Sequence, residues 1–304
     1  MAMRVATFAI NDQMITAALR TQATMANQQI QEASGLVSSD FGGLGATAQH
    51  VINLQVSVER SQSYIDASSL ADSKVQVMYS AVGSMTDVIT NFRSLLTGAS
   101  LSSASGSASI IQSAQAMMEQ MAGLMNTQYN GEYVFGGGRT GTAPVDLSDS
   151  TYTANAASAS TSDTSYYQGD SQVASVRVSD SQTISYGVTA DNTGFEEALR
   201  ALKLVATSSS VDSTTISQAL ALASTALDDT SAVQTKLANS ASAIETASSG
   251  QTEYQSYLKT LGTSLTSVDV AAVTAQLSTY QAQLTASYSA IAKIQGLNLA
   301  SYLR

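Results

Sequence analysis

The sequence predicts a mainly α-helical protein with a β-rich insert: a long antiparallel helical bundle or coiled coil formed by the N- and C-terminal segments, with a small β domain in the middle. Three observations support this fold class. Near both ends of the chain, apolar residues recur at alternating spacings of three and four, which marks one side of a helix. Between them, apolar and polar residues alternate, as in half-buried strands. Proline, which breaks helices, occurs once in 304 residues.

The first segment, residues 1–45, is the predicted N-terminal core (axial) segment and has the weakest helical pattern. Its apolar residues include Ile10, Met14 and Met25, but glutamine, asparagine and threonine interrupt every stripe. Burying a large apolar side chain contributes about 1.5 to 3 kcal/mol, while fixing one backbone residue costs about 1 to 2 kcal/mol. We therefore expect both termini to be frayed in a free monomer and ordered by neighbouring subunits. Ile10 and Met14 are candidate interface residues.

Residues 46–130 form the predicted N-terminal helical rod. One phase of the three-and-four spacing passes through Val51, Leu54, Val58, Ser61, Ile65, Ser68, Asp72, Val75, Met78, Val82, Met85, Ile89, Phe92 and Leu96. At about 1.5 Å per residue, this helix is roughly 70 Å long, whereas globular helices average about 11 or 12 residues. After a Ser/Gly/Ala stretch at 98–108, a further helix carries Ile110, Ala114, Met117, Met121, Leu124 and Met125 on one side.

Residues 131–193 form the predicted outward β-rich insert. Ala174, Val176 and Val178 fall on one face of a predicted strand, and the residues between them fall on the other. Turn residues separate this strand from its neighbours.

Residues 194–265 form the predicted C-terminal helical rod, and residues 266–304 form the C-terminal core (axial) segment. The clearest pattern of the chain lies in the latter, where a seam consists of Val270, Val273, Leu277, Tyr280, Leu284, Ser287, Ile291 and Ile294. The apolar members of this seam, with Leu297 and Leu299, are candidate interface residues. Such a seam needs a partner helix, and the two ends of the chain most simply satisfy each other.

The composition argues against several classes of protein. The net charge is −10 and no basic stripe is present, which argues against binding to nucleic acid or to anionic membranes. The chain has no stretch of 18 apolar residues and no recognisable secretory signal. Cysteine is absent, which excludes disulfides and thiolate metal sites.

No group of residues predicts catalysis, a cofactor or a metal site. The sole histidine, His50, lacks ligand partners and is interpreted as a residue near a helix N-terminus. Asp228 and Asp229 point about 100° apart on a helix, which suits a paired-carboxylate site poorly. Gly136, Gly137 and Gly138 are not followed by a phosphate-loop Lys-Ser/Thr pair and are interpreted as a turn. We therefore expect no enzyme.

Four segments carry a family resemblance: ASGLVSSD at 33–40, NTQYNGEYVFGG at 126–137, YQGD at 167–170 with ISYG at 184–187, and LTASYSAIAKIQGLNLASYL at 284–303. They resemble the bacterial flagellin family, most closely its hook-associated protein 3 branch at the hook-filament junction. The family-motif residues are Ser34, Gly35, Gly131, Tyr133, Phe135, Gly136 and Gly137. The glycine-rich stretch 41–45 departs from the family pattern.

The resemblance implies an extracellular structural subunit of the bacterial flagellum that joins hook to filament and serves motility. It also implies secretion without a cleaved signal peptide, through flagellar type III export, with a chaperone on the C-terminal part. The terminal helices would line the axis of a helical homo-oligomer, beside neighbouring copies, hook-associated protein 1 or the hook, and flagellin. Two alternatives stay open: a filament flagellin that self-polymerises, and a secreted adhesin or binding module that uses the insert.

Overall fold

The computed structural model describes residues 2–101 and 106–296. Within them the elements are α1 (Ala2–Ser34), a 3-10 helix (Gly42–Thr47), α2 (Ala48–Leu101), α3 (Ser107–Met125), β1 (Gln128–Tyr129), β2 (Glu132–Tyr133), α4 (Ser150–Ala154), β3 (Ser175–Arg177), β4 (Thr183–Ser185), α5 (Thr193–Ala206), α6 (Ser213–Thr266) and α7 (Val270–Gly296). The predicted fold class, mainly α with a small β insert, is confirmed.

The chain divides into two compact units. The central unit comprises Arg60–Tyr254, and the terminal unit comprises Met1–Glu59 with Gln255–Arg304. The finer division into five segments stays a prediction.

In the central unit, α2 and α6 pack against each other in antiparallel directions. The Ser61 hydroxyl donates to the backbone oxygen of Gln251 at 3.0 Å, and Gly83 lies beside the side chain of Gln234. Every member of the predicted α2 seam from Val75 to Leu96 is buried. The polar members Ser61 and Ser68 are buried as well, whereas the third, Asp72, is half-buried and its neighbour Ala71 is buried instead.

Both long helices tolerate a high content of serine and threonine because many of these hydroxyls bond within their own helix. Ser94 donates to the carbonyl oxygen of Thr90 at 3.0 Å, and Ser231 donates to that of Leu227 at 2.7 Å. This pattern leaves the helix continuous while satisfying the hydroxyl donor. Gly250 and Gly262 lie inside α6 and do not end it.

The insert contains short strands joined by long irregular segments. β1 pairs with β2, and β3 pairs with β4, both antiparallel. Along β3 and just beyond it, Val176 and Val178 are buried while Ser175 and Arg177 are exposed. The predicted alternation is therefore confirmed.

Aromatic residues of the insert enter the same hydrophobic core as α2, α3, α5 and α6. Phe135 is fully buried and meets Phe195 of α5 edge to face, with ring centroids 6.0 Å apart. Tyr166 is also fully buried and donates its hydroxyl to the backbone oxygen of Ala190 at 3.0 Å. The insert is thus part of the central core.

The helices α3 and α5 complete this core. Met121 and Met125, on the predicted apolar side of α3, are fully buried. α5 begins after Asn192, whose side chain accepts a hydrogen bond from the Gly194 amide at 3.1 Å. Gly194 lies against the α6 backbone at Thr230, where an added Cβ would approach the Thr230 nitrogen to 2.8 Å. This close approach requires glycine.

Candidate assembly surface

In the terminal unit, α1 packs along α7. Val273, Leu277 and Leu284 of the predicted seam are buried, while Tyr280, Ile291 and Ile294 are half-buried. Val270, the first residue of α7, is 44% exposed and contributes little to the seam. The side chain of Ile10 and the residues Leu297 and Leu299 lie outside what the structure describes.

The face of α1 with the least exposure also follows alternating spacings of three and four. It consists of Asn11, Met14, Ala18, Thr21, Met25, Gln28 and Glu32, of which Ala18 is buried and the others are half-buried. Five of these seven residues are polar or small, which explains why the sequence shows no apolar stripe on this face of α1. Met14 was predicted, whereas the polar members were missed because only apolar residues were sought.

A short backbone pairing, which we call the clip, joins residues 35–37, just after α1, to residues 266–268, between the end of α6 and the start of α7. The Val37 amide donates to the Thr266 oxygen at 2.7 Å, and the Val268 amide donates to the Gly35 oxygen at 3.0 Å. Gly35 has a φ of +70°, in the left-handed region that favours glycine. The Ser34 hydroxyl accepts from the Leu36 amide at 3.2 Å. The two motif residues of this segment, Ser34 and Gly35, therefore determine the backbone conformation of the clip.

A second apolar stripe on α1 faces away from α7. Its members are Ile15, Leu19, Ala23, Ala26 and Ile30, all of which are exposed. Leu19 is 59% exposed and Ile30 is 60% exposed. By helical geometry the stripe is centred about 130° around α1 from the face that contacts α7. The expectation that polar residues interrupt every stripe of this segment is therefore wrong, because these five apolar residues form an unbroken set in a different phase of the same helix.

The NTQYNGEYVFGG motif forms a tight hairpin in the central unit. Asn130 and Gly131 connect β1 to β2 with φ values of +53° and +81°. Two consecutive positive φ values define the hairpin turn that Asn-Gly favours, because its twist matches that of the strands. Lys74 of α2 lies 2.6 Å from the Glu132 carboxylate and holds the hairpin against α2. Tyr133 is half-buried.

Gly136, Gly137 and Gly138 form the predicted turn, and Gly137 and Gly138 pack closely against the segment at 168–172. An added Cβ on Gly136 would lie 2.8 Å from the Arg139 oxygen, and one on Gly137 would lie 2.4 Å from the Asp170 oxygen. Gly137 also has a φ of +69°. The Asp170 carboxylate accepts from the Gly138 amide at 2.7 Å, and such bonds hold the pKa of Asp170 below its usual value. The motif residues therefore determine the fold rather than an exposed surface.

A buried charged group ties the Ser/Thr-rich part of the insert to α5. Lys203 is 6% exposed, donates to the backbone oxygen of Tyr152 at 2.7 Å and lies 3.3 Å from the Asp163 carboxylate. Partial burial acts to raise the pKa of Asp163, but hydrogen bonds from Ser165, Asn155 and Lys203 outweigh it and leave that pKa below its usual value. Burial, together with the charges of Asp163 and Glu196, raises the pKa of Tyr152.

The other residues that the sequence analysis considered for catalysis or metal binding are His50, Asp228 and Asp229. His50 lies exposed in the first turn of α2. Asp228 is exposed and Asp229 is half-buried on α6. Among the described residues, no cluster of three or more His, Cys, Asp or Glu side chains is arranged to hold a metal ion. No helix in the same residues has the length and apolarity needed to cross a membrane.

Comparison with known proteins finds a family match in the N-terminal part of the chain. Residues 5–140 match the bacterial flagellin N-terminal helical region. The fold is similar to that of a protein from Vibrio parahaemolyticus described as a flagellar hook-associated protein, with a TM-score of 0.60, 13% sequence identity, and coverage of 74% of this chain and 98% of that one. FlgL from Bacillus cereus aligns with a TM-score of 0.36 and 12% identity over 83% of this chain and 99% of its own. No curated protein matches the sequence.

Proposed function

We propose that the chain is a member of the bacterial flagellin family, whose N-terminal helical region matches residues 5–140, and that it is the structural subunit that joins hook to filament. The fold is similar to that of the Vibrio parahaemolyticus hook-associated protein, which agrees with this role. The protein acts outside the cell, in the flagellum, after export by the flagellar type III route with a chaperone on its C-terminal part. It contacts neighbouring copies, hook-associated protein 1 or the hook on one side, and flagellin on the other.

The observation that carries this proposal is the exposed apolar stripe on α1. Leu19 is 59% exposed and Ile30 is 60% exposed on this face of α1. Another helix that packs against the face would bury these side chains and add hydrophobic stabilisation. Each of these side chains contributes about 1.5 to 3 kcal/mol when buried. A neighbouring subunit that covers the stripe therefore stabilises the terminal unit and the assembly together.

Two matched substitutions on α1 test this role. Leu19→Gln replaces an exposed apolar residue of the stripe, whereas Thr24→Gln introduces the same side chain at an exposed position outside the stripe. Neither residue is buried in the monomer, so both variants are expected to unfold at the wild-type temperature. Leu19→Gln is expected to weaken incorporation at hook ends, counted by negative-stain electron microscopy, while Thr24→Gln assembles normally. Equal assembly by both variants would argue against a role for the stripe.

Filament flagellin is a second candidate, because the matched region is described for flagellins in general. Purified filament subunits grow long filaments by themselves, whereas a junction subunit forms a short layer and stops. Long filaments from the purified protein alone would favour the second candidate. The adhesin alternative has less support, since Phe135 and Tyr166 commit the insert to the central core.

A further inference from the structure

Two side-chain contacts hold α1 and α7 side by side. The Gln28 amide donates to the Gln276 side-chain oxygen at 2.6 Å, and the Thr274 hydroxyl donates to the Glu32 carboxylate at 2.8 Å. Residue numbers rise along α1 as they fall along α7, so the helices are antiparallel. These contacts define the register of the pair along its length.

The sequence of α7 repeats both partners seven residues later. Gln283 follows Gln276 by one heptad, and Gln281, which also offers a donor, follows Thr274 by one heptad. The apolar seam has the same period, because Val270, Leu277, Leu284 and Ile291 are spaced by seven. If α1 moves by one heptad towards the C-terminal end of α7, Gln28 meets Gln283 and Glu32 meets Gln281. The shift is about 10 Å.

The side chains that line the seam therefore permit two registers of similar chemistry. The apolar positions stay in phase after the shift, since a heptad returns to the same side of both helices. A polar group in a seam selects one register only when its partner occurs once. Here the partner occurs twice, so the selection must come from another part of the terminal unit.

The clip distinguishes the two registers. Its two backbone hydrogen bonds, from Val37 to Thr266 and from Val268 to Gly35, form only where α1 ends level with the start of α7. After the shift, the end of α1 lies about 10 Å away and both bonds are lost. Residues 35–47 span about 40 Å when extended, so the connection to α2 permits the shift once the clip is open.

We infer that Gly35 is a positioning residue, which holds the clip closed and thereby selects one of two registers of the α1–α7 pair. Space does not require glycine here, because an added Cβ meets nothing within 4 Å. The requirement lies in the φ of +70°, which a β-branched residue adopts only with strain. For assembly, which rests on the proposed function, the register decides where along α7 the exposed stripe of α1 is presented.

The chain lacks cysteine, so pairs of introduced cysteines report the register directly. The full-length variant Gln28→Cys with Gln276→Cys marks the observed register, and Gln28→Cys with Gln283→Cys marks the shifted one. Each pair is bridged with a short bismaleimide in three backgrounds: Gly35, Gly35→Val and Gly35→Asn. Asparagine is the matched control because it tolerates the left-handed region. Val37→Pro, which removes a donor of the clip, opens the clip by a second route.

With Gly35 or Gly35→Asn, the Gln276 pair is expected to cross-link and the Gln283 pair to stay nearly unreacted. With Gly35→Val or Val37→Pro, the ratio of shifted to observed cross-link rises about thirtyfold, which corresponds to two lost backbone hydrogen bonds. Three outcomes overturn the inference: unchanged cross-linking in both clip variants, both cross-links with Gly35 intact, and loss of both cross-links when the clip is opened. The last outcome would mean that the helices do not pair without the clip. Assembly assays on the same variants separately test the proposed function.

Discussion

Phe135 tests whether the insert is part of the central core or a separable outer module. Its side chain is fully buried against α5, with Phe195 edge to face at 6.0 Å. Replacing a buried phenylalanine by alanine removes its transfer free energy and leaves a cavity, at a cost of about 3 to 5 kcal/mol. For a unit of this size, each 1 kcal/mol lowers the melting temperature by about 2 to 4 °C. We therefore expect Phe135→Ala to melt the central unit about 10 °C lower.

The matched control is Phe41→Ala, because Phe41 is 47% exposed and lies in the terminal unit. The melting temperature of the central unit should not change in this variant. Hydrogen exchange measured on α5 peptides shows whether the destabilisation reaches α5, which carries Phe195, the aromatic partner of Phe135. If Phe135→Ala costs less than about 1 kcal/mol and α5 stays protected, the insert is separable from the core, and replacing it by a linker becomes a workable design.

Two further predictions concern the insert. Gly137→Ala strains a backbone at φ +69° and places a Cβ against Asp170. It should therefore lower the free energy of unfolding, measured in urea, by more than about 1 kcal/mol. The control Gly141→Ala, where an added Cβ meets no atom within 4 Å, should change this free energy by less than about 0.5 kcal/mol. Asp163 has a lowered pKa when folded, so its contribution is present above the unfolded pKa of about 4 and is lost as the pH falls through the folded value. Asp163→Asn should therefore destabilise the central unit at pH 7 and flatten its stability between pH 4 and 2, as followed by circular dichroism; an unchanged acid profile would contradict this assignment.

The long helices were predictable from sequence because their burial is periodic and local. The seam of α2 extends from Val75 to Leu96 without an error, and Ser61 and Ser68 fall on the buried side as their phase requires. A single dominant seam determines one face of a helix regardless of what covers it. The same holds for α7, where Val273, Leu277 and Leu284 are buried as predicted.

The buried charges and the clip were not predictable, because each depends on residues far apart in sequence. Lys203 is buried only because Tyr152 and Asp163 reach it from the insert. Nothing in the local pattern of α5 distinguishes it from a solvated lysine. The clip joins Gly35 to Val268 across most of the chain, and a glycine in a loop does not reveal which backbone it will meet.

The motif residues and the exposed stripe have different roles. For this reason the family resemblance indicates the fold better than it indicates the contacts with neighbouring subunits. Gly131, Gly136 and Gly137 each occupy a conformation or a space that side chains do not tolerate, so their identity is required by the fold. The exposed stripe of α1 requires only apolar character at Ile15, Leu19 and Ile30, which many side chains provide. The residues that identify the chain are therefore different from those expected to bind its neighbours. Differences between a junction subunit and a filament subunit should accordingly be sought in the stripe and in the register of α1 on α7.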